Sequence, residues 1–420
     1  MTQISLDRRR WFIACAALLM QLCLGTVYAW SVFKKPMMEA HLWTETQTQG
    51  AFMIYNTVFA IAVAFGGTLV DRKGPKIVGT IGGILFGSGL MLTGIANQIH
   101  GLGMLYISYG CIAALGGGLG YITPVTTLIR WFPDKRGLVT GIAIMGYGFG
   151  AFILGNIAPR LILDAGITVT FLLWGSTSLV LVLAAVMVMR NPPTEWLPEG
   201  FVPQVGKISS SQDSFTFEQA VRTPQFWVLW IIFLLSLTAG LGLISQLSPI
   251  AQDVMVSGLG GSPSQEQIRD VVITSGFIVA LAGIFNGLGR LIWAWISDTL
   301  GRKMVFILLF LIQSAGYLLL AHTQHIVLFS VIAFFMLACY GGSLASMPAF
   351  AADEFGPLHI GKIYGVIFTA CAAAGFVGAF LFAYIKDLTS RFEPALYAAT
   401  GFLVLGLFLT IIYRNPHKGS

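Results

Sequence analysis

The chain has 420 residues, of which 56% are hydrophobic and only 10% are Asp, Glu, Lys or Arg. A water-soluble domain carries nearer a quarter charged residues, so this composition excludes a soluble globular protein and implies a membrane one. The formal charge of +6 is set by where the basic residues flank apolar stretches, and so reports membrane topology, not nucleic-acid binding.

A helix needs about 20 predominantly apolar residues to cross ~30 Å of hydrocarbon. In chain order the apolar stretches predict twelve: residues 11–33, 50–70, 77–99, 104–129, 138–159 and 167–189, then 224–250, 271–296, 304–321, 326–352, 363–385 and 395–413. Arg290, in the eighth, is the only charged residue within them. Short alternating segments of the kind that build a transmembrane barrel do not occur. A cleaved signal peptide is the alternative reading of the first stretch. It is too long for an ordinary signal, however, and no small-residue cleavage site follows it, so it reads as a span. All five cysteines (Cys15, Cys23, Cys111, Cys339 and Cys371) fall inside spans, with neither a disulfide framework nor metal spacing. No cofactor motif occurs either.

With the N-terminus inside, the external loops hold Lys34, Lys35, Arg160, Arg269, Lys386 and Arg391. Apart from Arg290, every other Lys and Arg falls in a cytoplasmic segment, among them Lys135, Lys207 and Lys418. This bias predicts an inner-membrane protein with both termini in the cytoplasm.

The chain also repeats itself. Gly117-Gly118 and Pro124 of the fourth span recur as Gly341-Gly342 and Pro348 of the tenth, 224 residues later, and Arg190-Asn191-Pro192 recurs as Arg414-Asn415-Pro416 at the same offset. The loop after span 2, from Asp71 to Lys76, resembles that after span 8, from Asp298 to Lys303, at an offset of 227. Several features in register indicate two homologous six-helix halves, residues 1–190 and 224–420. A cytoplasmic linker at 191–223, rich in proline and with a serine run at 209–211, joins them. The fold class expected is therefore an all-α membrane protein of twelve transmembrane helices in two pseudo-symmetric halves. Parallel repeats of this kind suit alternating access around a midplane site.

The loop from Gly67 to Lys76 resembles the signature between spans 2 and 3 of the major facilitator superfamily, with Pro75 where that family usually has Arg. The stretches Gly25–Phe33, Arg130–Gly137 and Arg222–Trp227 resemble the oxalate/formate antiporter family, which is in turn similar to the monocarboxylate transporters of lactate and pyruvate. The resemblance implies the major facilitator fold, a small carboxylate as partner, and no enzymatic activity. A monomer within the lipid bilayer is expected.

A guanidinium inside a span costs about 2.5–3.5 kcal/mol on insertion scales and usually marks function. Arg290 cannot shed its proton, and no Asp or Glu lies in any predicted span to neutralise it. A visiting carboxylate, which fits the planar fork bidentately, is the natural counter-ion. The competing reading is a snorkelling arginine, since Arg290 sits about eight residues, ~12 Å, from the cytoplasmic end of its span. Asn286, one turn away on the same face, is a candidate to bond the substrate or simply a neighbouring helix. Many monocarboxylate transporters carry an Asp there, so Asn286 removes a carboxylate that the family uses. Tyr121, at a similar depth in the other half, is a candidate to complete a carboxylate clamp across the pseudo-two-fold. Tyr340, Tyr28 and Tyr147 are further candidates, each with core packing as the alternative, and Phe335 is the candidate apolar lining.

By the same resemblance, oxalate-exchanging members pair the span-8 Arg with a Lys in span 11, and alignment on Tyr364–Phe368 puts Cys371 at that position. One buried cation suits a monoanion, because a dianion would leave a charge unpaired in low dielectric. Asp71, Arg72, Asp298 and Arg302 read as cytoplasmic gate latches or as topology signals. The expected function is secondary transport of L-lactate or pyruvate. The lactate-transporter resemblance favours proton symport, although no titrating group is found in the spans. Oxalate/formate exchange and a carboxylate-sensing receptor are the alternatives, and an enzyme would need paired acid–base or metal-ligand groups that the spans lack.

Overall fold

Apolar runs bounded by capping signals fold as helices throughout the computed structural model, which describes residues 6–134, 136–193, 196–198, 215–259, 263–356 and 359–414. No strand occurs among the described residues. The chain forms two compact units, Met1–Pro203 and Gln204–Ser420. The first holds α1 (Leu6–Gly25), a 3-10 turn (Thr26–Ala29), α2 (Ser31–His41), α3 (Glu45–Lys73), α4 (Pro75–Gln98), α5 (Leu102–Leu105), a π-helical turn (Tyr106–Ala113), α6 (Ala114–Trp131) and α7 (Arg136–Val188). The second holds α8 (Phe217–Arg222), α9 (Pro224–Ser257), α10 (Gln265–Leu300), α11 (Arg302–His322), α12 (Ile326–Phe355), α13 (Ile360–Thr389) and α14 (Glu393–Ile412).

Among the described residues eleven helices are long and apolar enough to cross a membrane. One of them, the 44-residue apolar part of α7, would be ~66 Å long if straight, about twice the hydrocarbon thickness. It is broken at Gly166, whose φ of 84° and ψ of 167° suit glycine alone. α7 is therefore the fifth and sixth crossings in one run, and the crossings number twelve.

The helices extend past the apolar stretches because polar capping residues start them. Thr44 accepts a hydrogen bond from the Gln47 backbone N–H at 3.1 Å and donates its own N–H to Gln47 Oε1 at 2.9 Å. α3 consequently begins at Glu45, before its apolar run. Ser264 and Gln267 start α10 in the same way, and Thr216 and Gln219 start α8. The last departs from the sequence expectation, since α8 forms inside the stretch read as linker. It is docked on the second unit by Phe215 N–H donating to the Phe355 carbonyl at 2.9 Å and by Lys362, whose Nζ lies 4.3 Å from the Phe217 ring centre. A hydrogen bond from its own backbone N–H, helped by Lys362, holds the exposed Glu218 carboxyl below its usual range. Residues 194–195 and 199–214 of the expected linker lie outside the described residues, as do Lys135, Lys207, Asn415, Pro416 and Lys418.

Each unit has two polar ends separated by an apolar belt. In the first unit one end joins Arg10 to Asp134 at 2.8 Å, Arg130 to Asp71 at 2.5 Å, and Trp131 Nε1 to the Arg190 carbonyl at 2.6 Å. The opposite end carries the Lys34–Glu45 pair, His41 against Asn97 at 2.7 Å, and Asn97 Nδ2 donating to Thr168 at 3.0 Å. The second unit repeats the pattern, with Lys303 donating to the Ile411 and Tyr413 carbonyls at one end and Lys386 paired with Asp253 at the other. Between the ends, side chains such as Val180 and Met187 of α7 and Val404 and Phe408 of α14 are exposed. Hydrocarbon is the solvent that suits such a belt, because the helices satisfy their own backbone groups.

Candidate functional site

In the second unit α10 and α12 touch backbone to backbone. A Cβ at Gly341 would overlap the Asn286 carbonyl and lie 2.8 Å from Asn286 Oδ1 and 3.1 Å from Arg290 Cγ. Only glycine at 341 leaves room for the Asn286–Arg290 face of α10. Arg290 is 3% exposed, and its Nε donates to Asn286 Oδ1 at 3.3 Å. Asn286 precedes it by one turn, so the head group is held away from the near helix end, which lies about ten residues or ~15 Å off. A snorkelling arginine would reach the opposite way, so that reading does not describe this geometry. Cys371 of α13, also buried, lies within electrostatic range of the Arg290 charge. The span-11 position singled out by the family resemblance thus neighbours Arg290 and carries a neutral side chain.

Tyr340 precedes Gly341 on α12. It is 1% exposed, and its ring packs on Gly240 of α9. Phe335 lies a turn and a half earlier on α12. It is 58% exposed and continues an exposed apolar stripe with Leu328 and Val331. Phe335 sits six residues from Gly341, about 120° around the helix at 3.6 residues per turn.

The first unit gathers three of the four tyrosines. The Tyr147 ring lies 5.2 Å from both Tyr28 and Tyr121, edge to face, and Phe59 of α3 lies 5.5 Å from Tyr121 and 6.0 Å from Tyr147. The bend after α1 brings Tyr28 into this group. Thr26 Oγ1 donates back to the Cys23 carbonyl at 2.5 Å and accepts from Trp174 Nε1 at 2.8 Å, and such back-bonding bends a helix. Gly25 lets the α1 backbone meet the Tyr147 carbonyl directly. Gln21 Nε2 donates to the Tyr121 carbonyl at 3.3 Å, tying α1 to α6. The sequence reading missed Phe59 and Tyr55, the latter 1% exposed and 6.0 Å from Phe59. The repeat held the signal: at the offset of 227 Phe59 corresponds to Asn286, and at 224 Tyr147 corresponds to Cys371.

The four residues read as latches pair differently in the two units. In the second, Arg302 bonds Asp298 at 2.6 Å and also Asp353 of α12 at 2.9 Å. In the first, Arg72 is exposed and follows Asp71 directly, and neighbours at i, i+1 do not face each other. Position 75, one turn after Asp71, is proline. Asp71 is instead paired with Arg130 at the end of α6, a partner the sequence reading did not include.

Twelve apolar crossings in two duplicated units, with a guanidinium buried in one crossing, define a multi-pass membrane carrier. The chain belongs to the major facilitator superfamily: the profile described as Major Facilitator Superfamily matches residues 10–379 and also 247–420. It is 30% identical over 409 residues to the oxalate:formate antiporter of Oxalobacter formigenes, covering 96% of this chain and 92% of that protein. Monocarboxylate transporter 9 of Gallus gallus is 20% identical, with 97% and 93% covered. A crystal structure of a bacterial homologue of the human lysosomal transporter Spinster, inward-facing and unoccupied, matches with a TM-score of 0.75 at 14% identity, over 96% of this chain and 97% of that one. Family and fold are those of a transporter and not of an enzyme.

Proposed function

We infer that this transporter carries small monocarboxylates, L-lactate or pyruvate, in symport with protons by alternating access, and that Arg290 binds the substrate carboxylate. The carrying observation is the burial of Arg290 beside Asn286 and Cys371. Asn286 holds the fork in one orientation, and Cys371 adds no second cation to that of Arg290. A monoanion neutralises that cation, whereas a dianion brings a second charge into a low-dielectric site at a cost of several kcal/mol, roughly 2–7 on transfer scales for even a neutral polar group. Tyr28, Tyr121 and Tyr147 are proposed as hydroxyl donors to the carboxylate, with Tyr340 as a further one. The Asp71–Arg130 and Asp298–Arg302–Asp353 pairs are proposed as cytoplasmic latches. Their ends hold most of the flanking arginines, which supports an inner-membrane orientation with both termini inside.

Oxalate/formate exchange is the second reading, favoured by the 30% identity to the oxalate:formate antiporter. Uptake of labelled L-lactate and labelled oxalate into proteoliposomes separates the two. Lactate uptake competed by pyruvate is the expected outcome, and oxalate uptake without lactate uptake overturns it. Arg290→Ala and Arg290→Lys are both expected to lose lactate uptake. Normal uptake by both variants removes the site assignment.

A further inference from the structure

Proton symport needs a group that takes up a proton within the protein, and the apolar stretches of the sequence offer none. Among the described residues two carboxylates are buried, Glu45 and Glu354. Glu354 lies at the arginine-rich end of the second unit, where it accepts from the Tyr413 hydroxyl at 3.1 Å. Glu45 lies at the opposite end of the first unit, 5% exposed and in a salt bridge with Lys34 of α2, which is itself fully buried.

The surroundings of Glu45 set it apart. Gln49, one turn further along α3, is fully buried, and neither atom of its amide has a hydrogen-bond partner. On the Lys34 side, Trp30 and Ser31 are buried, and their Nε1 and Oγ atoms are likewise unpartnered. The Trp30 ring stacks with Phe52 of α3 at 6.5 Å and lies 4.4 Å from Tyr109, whose buried hydroxyl is also unpartnered. Tyr109 is 5.0 Å from Tyr55, which lies beside Tyr147. Buried polar groups in proteins are otherwise almost always bonded. Unpartnered buried polar groups thus accompany the buried ion pair and reach the tyrosine cluster through the Trp30–Tyr109–Tyr55 ring contacts.

We propose that Glu45, held by Lys34, is the proton-carrying group of this transporter, and that the file Gln49–Trp30–Tyr109–Tyr55 is its hydrated route. The proposal rests on the proton-linked carboxylate transport inferred above. Uptake of a proton converts the Glu45 carboxylate to the neutral acid and leaves Lys34 as a net positive charge. Release restores the neutral pair. A buried positive charge favours simultaneous loading of a monoanion, and proton and anion together carry no net charge. The other titratable groups on elements packed against α2 and α3 at this end are Lys35 and Glu39 on α2, Asp164 on α7, and Tyr106, whose hydroxyl donates to the Gln47 carbonyl at 2.7 Å. The His41–His100 pair, 2.6 Å apart, lies at the same end.

The test uses proteoliposomes of the full chain, alkaline inside and acidic outside by about one pH unit, a gradient that supports about tenfold accumulation at one proton per anion. Wild type is expected to accumulate L-lactate. Glu45→Gln is expected to lose the accumulation and keep lactate–lactate exchange, since exchange needs no net proton movement. The double variant Lys34→Met/Glu45→Gln removes the buried ammonium together with the carboxylate and is expected to behave alike, which covers misfolding of the single variant. Accumulation retained in the double variant overturns the proposal, as does loss of coupling in Glu354→Gln but not in Glu45→Gln. Loss of exchange in both Glu45 variants also overturns it, because that marks a structural role. Wild-type protein that exchanges lactate but ignores the gradient overturns the proton reading as a whole, and leaves Arg290 to be judged by its own variants.

Discussion

The two units carry the same helix crossing with different chemistry in it. Gly341 seats α12 against Asn286 and Arg290, and its counterpart Gly117 seats α6 against Tyr55 and Phe59. At the offset of 227, Phe59 stands for Asn286 and Val63 for Arg290. At 224, Tyr147 stands for Cys371. Duplication thus preserved the contacts that fix the backbones, while the side chains facing them diverged into a guanidinium in one unit and a tyrosine cluster in the other. A cation at Val63 would bring the first unit a desolvation cost of its own. Aromatic hydroxyls supply hydrogen bonds without that cost.

The sharpest way to break this comparison is at its charged end. Arg290→Ala is expected to cost about 2–5 kcal/mol of carboxylate binding, the usual loss on truncating a buried charged partner. Val63→Ala, its counterpart, is expected to leave uptake within about twofold of wild type. Equal losses in the two would show that packing, not charge, is what the α10 position supplies. The crossings themselves come next. Gly341→Ala forces a methyl into the Asn286 carbonyl and is expected to destabilise by about 1–3 kcal/mol. Gly117→Ala meets the tip of a tyrosine side chain, 2.4 Å away before relaxation, and not a backbone carbonyl, and is expected to cost less. Thermal unfolding in detergent ranks the two.

Selectivity offers a finer measurement. Cys371→Lys adds a second cation beside Arg290, and the oxalate-to-lactate uptake ratio is expected to rise by about tenfold, equivalent to ~1.4 kcal/mol. An unchanged ratio would separate charge matching from substrate choice. Smallest of all, Tyr147→Phe removes one hydroxyl from the cluster and keeps the ring. A loss of about 0.5–1.5 kcal/mol in apparent lactate affinity is expected, with expression unchanged.

Composition made the fold legible because lipid imposes a length and an apolar character on every crossing. The spans, their duplication and the face shared by Asn286 and Arg290 all followed from spacing along the chain. What stayed hidden lay where polarity and burial part company. Lys34 and Glu45 read as external loop residues, since charges mark span ends, yet α2 and α3 fold them inward against each other. The face of α12 that meets α10 was also hidden: it is set by Gly341, about 120° around the helix from Phe335. The partner of Asp71 was missed because Arg130 is distant in sequence, and proline at 75 removes the partner one turn along. α8 was missed because six residues of mixed polarity show no periodicity, and its capping pair is the only local mark.

The turn at Gly166 carries a mechanical consequence. The fifth and sixth crossings share a single residue of slack, so neither can slide along the membrane normal without dragging the other. Whatever displacement α1 imposes on the Tyr147 end of α7 through Gly25 is handed on, across that hinge, to the crossing that holds Trp174. The pair must also enter the bilayer as one hairpin during biosynthesis, having almost no hydrophilic segment of its own to pass across.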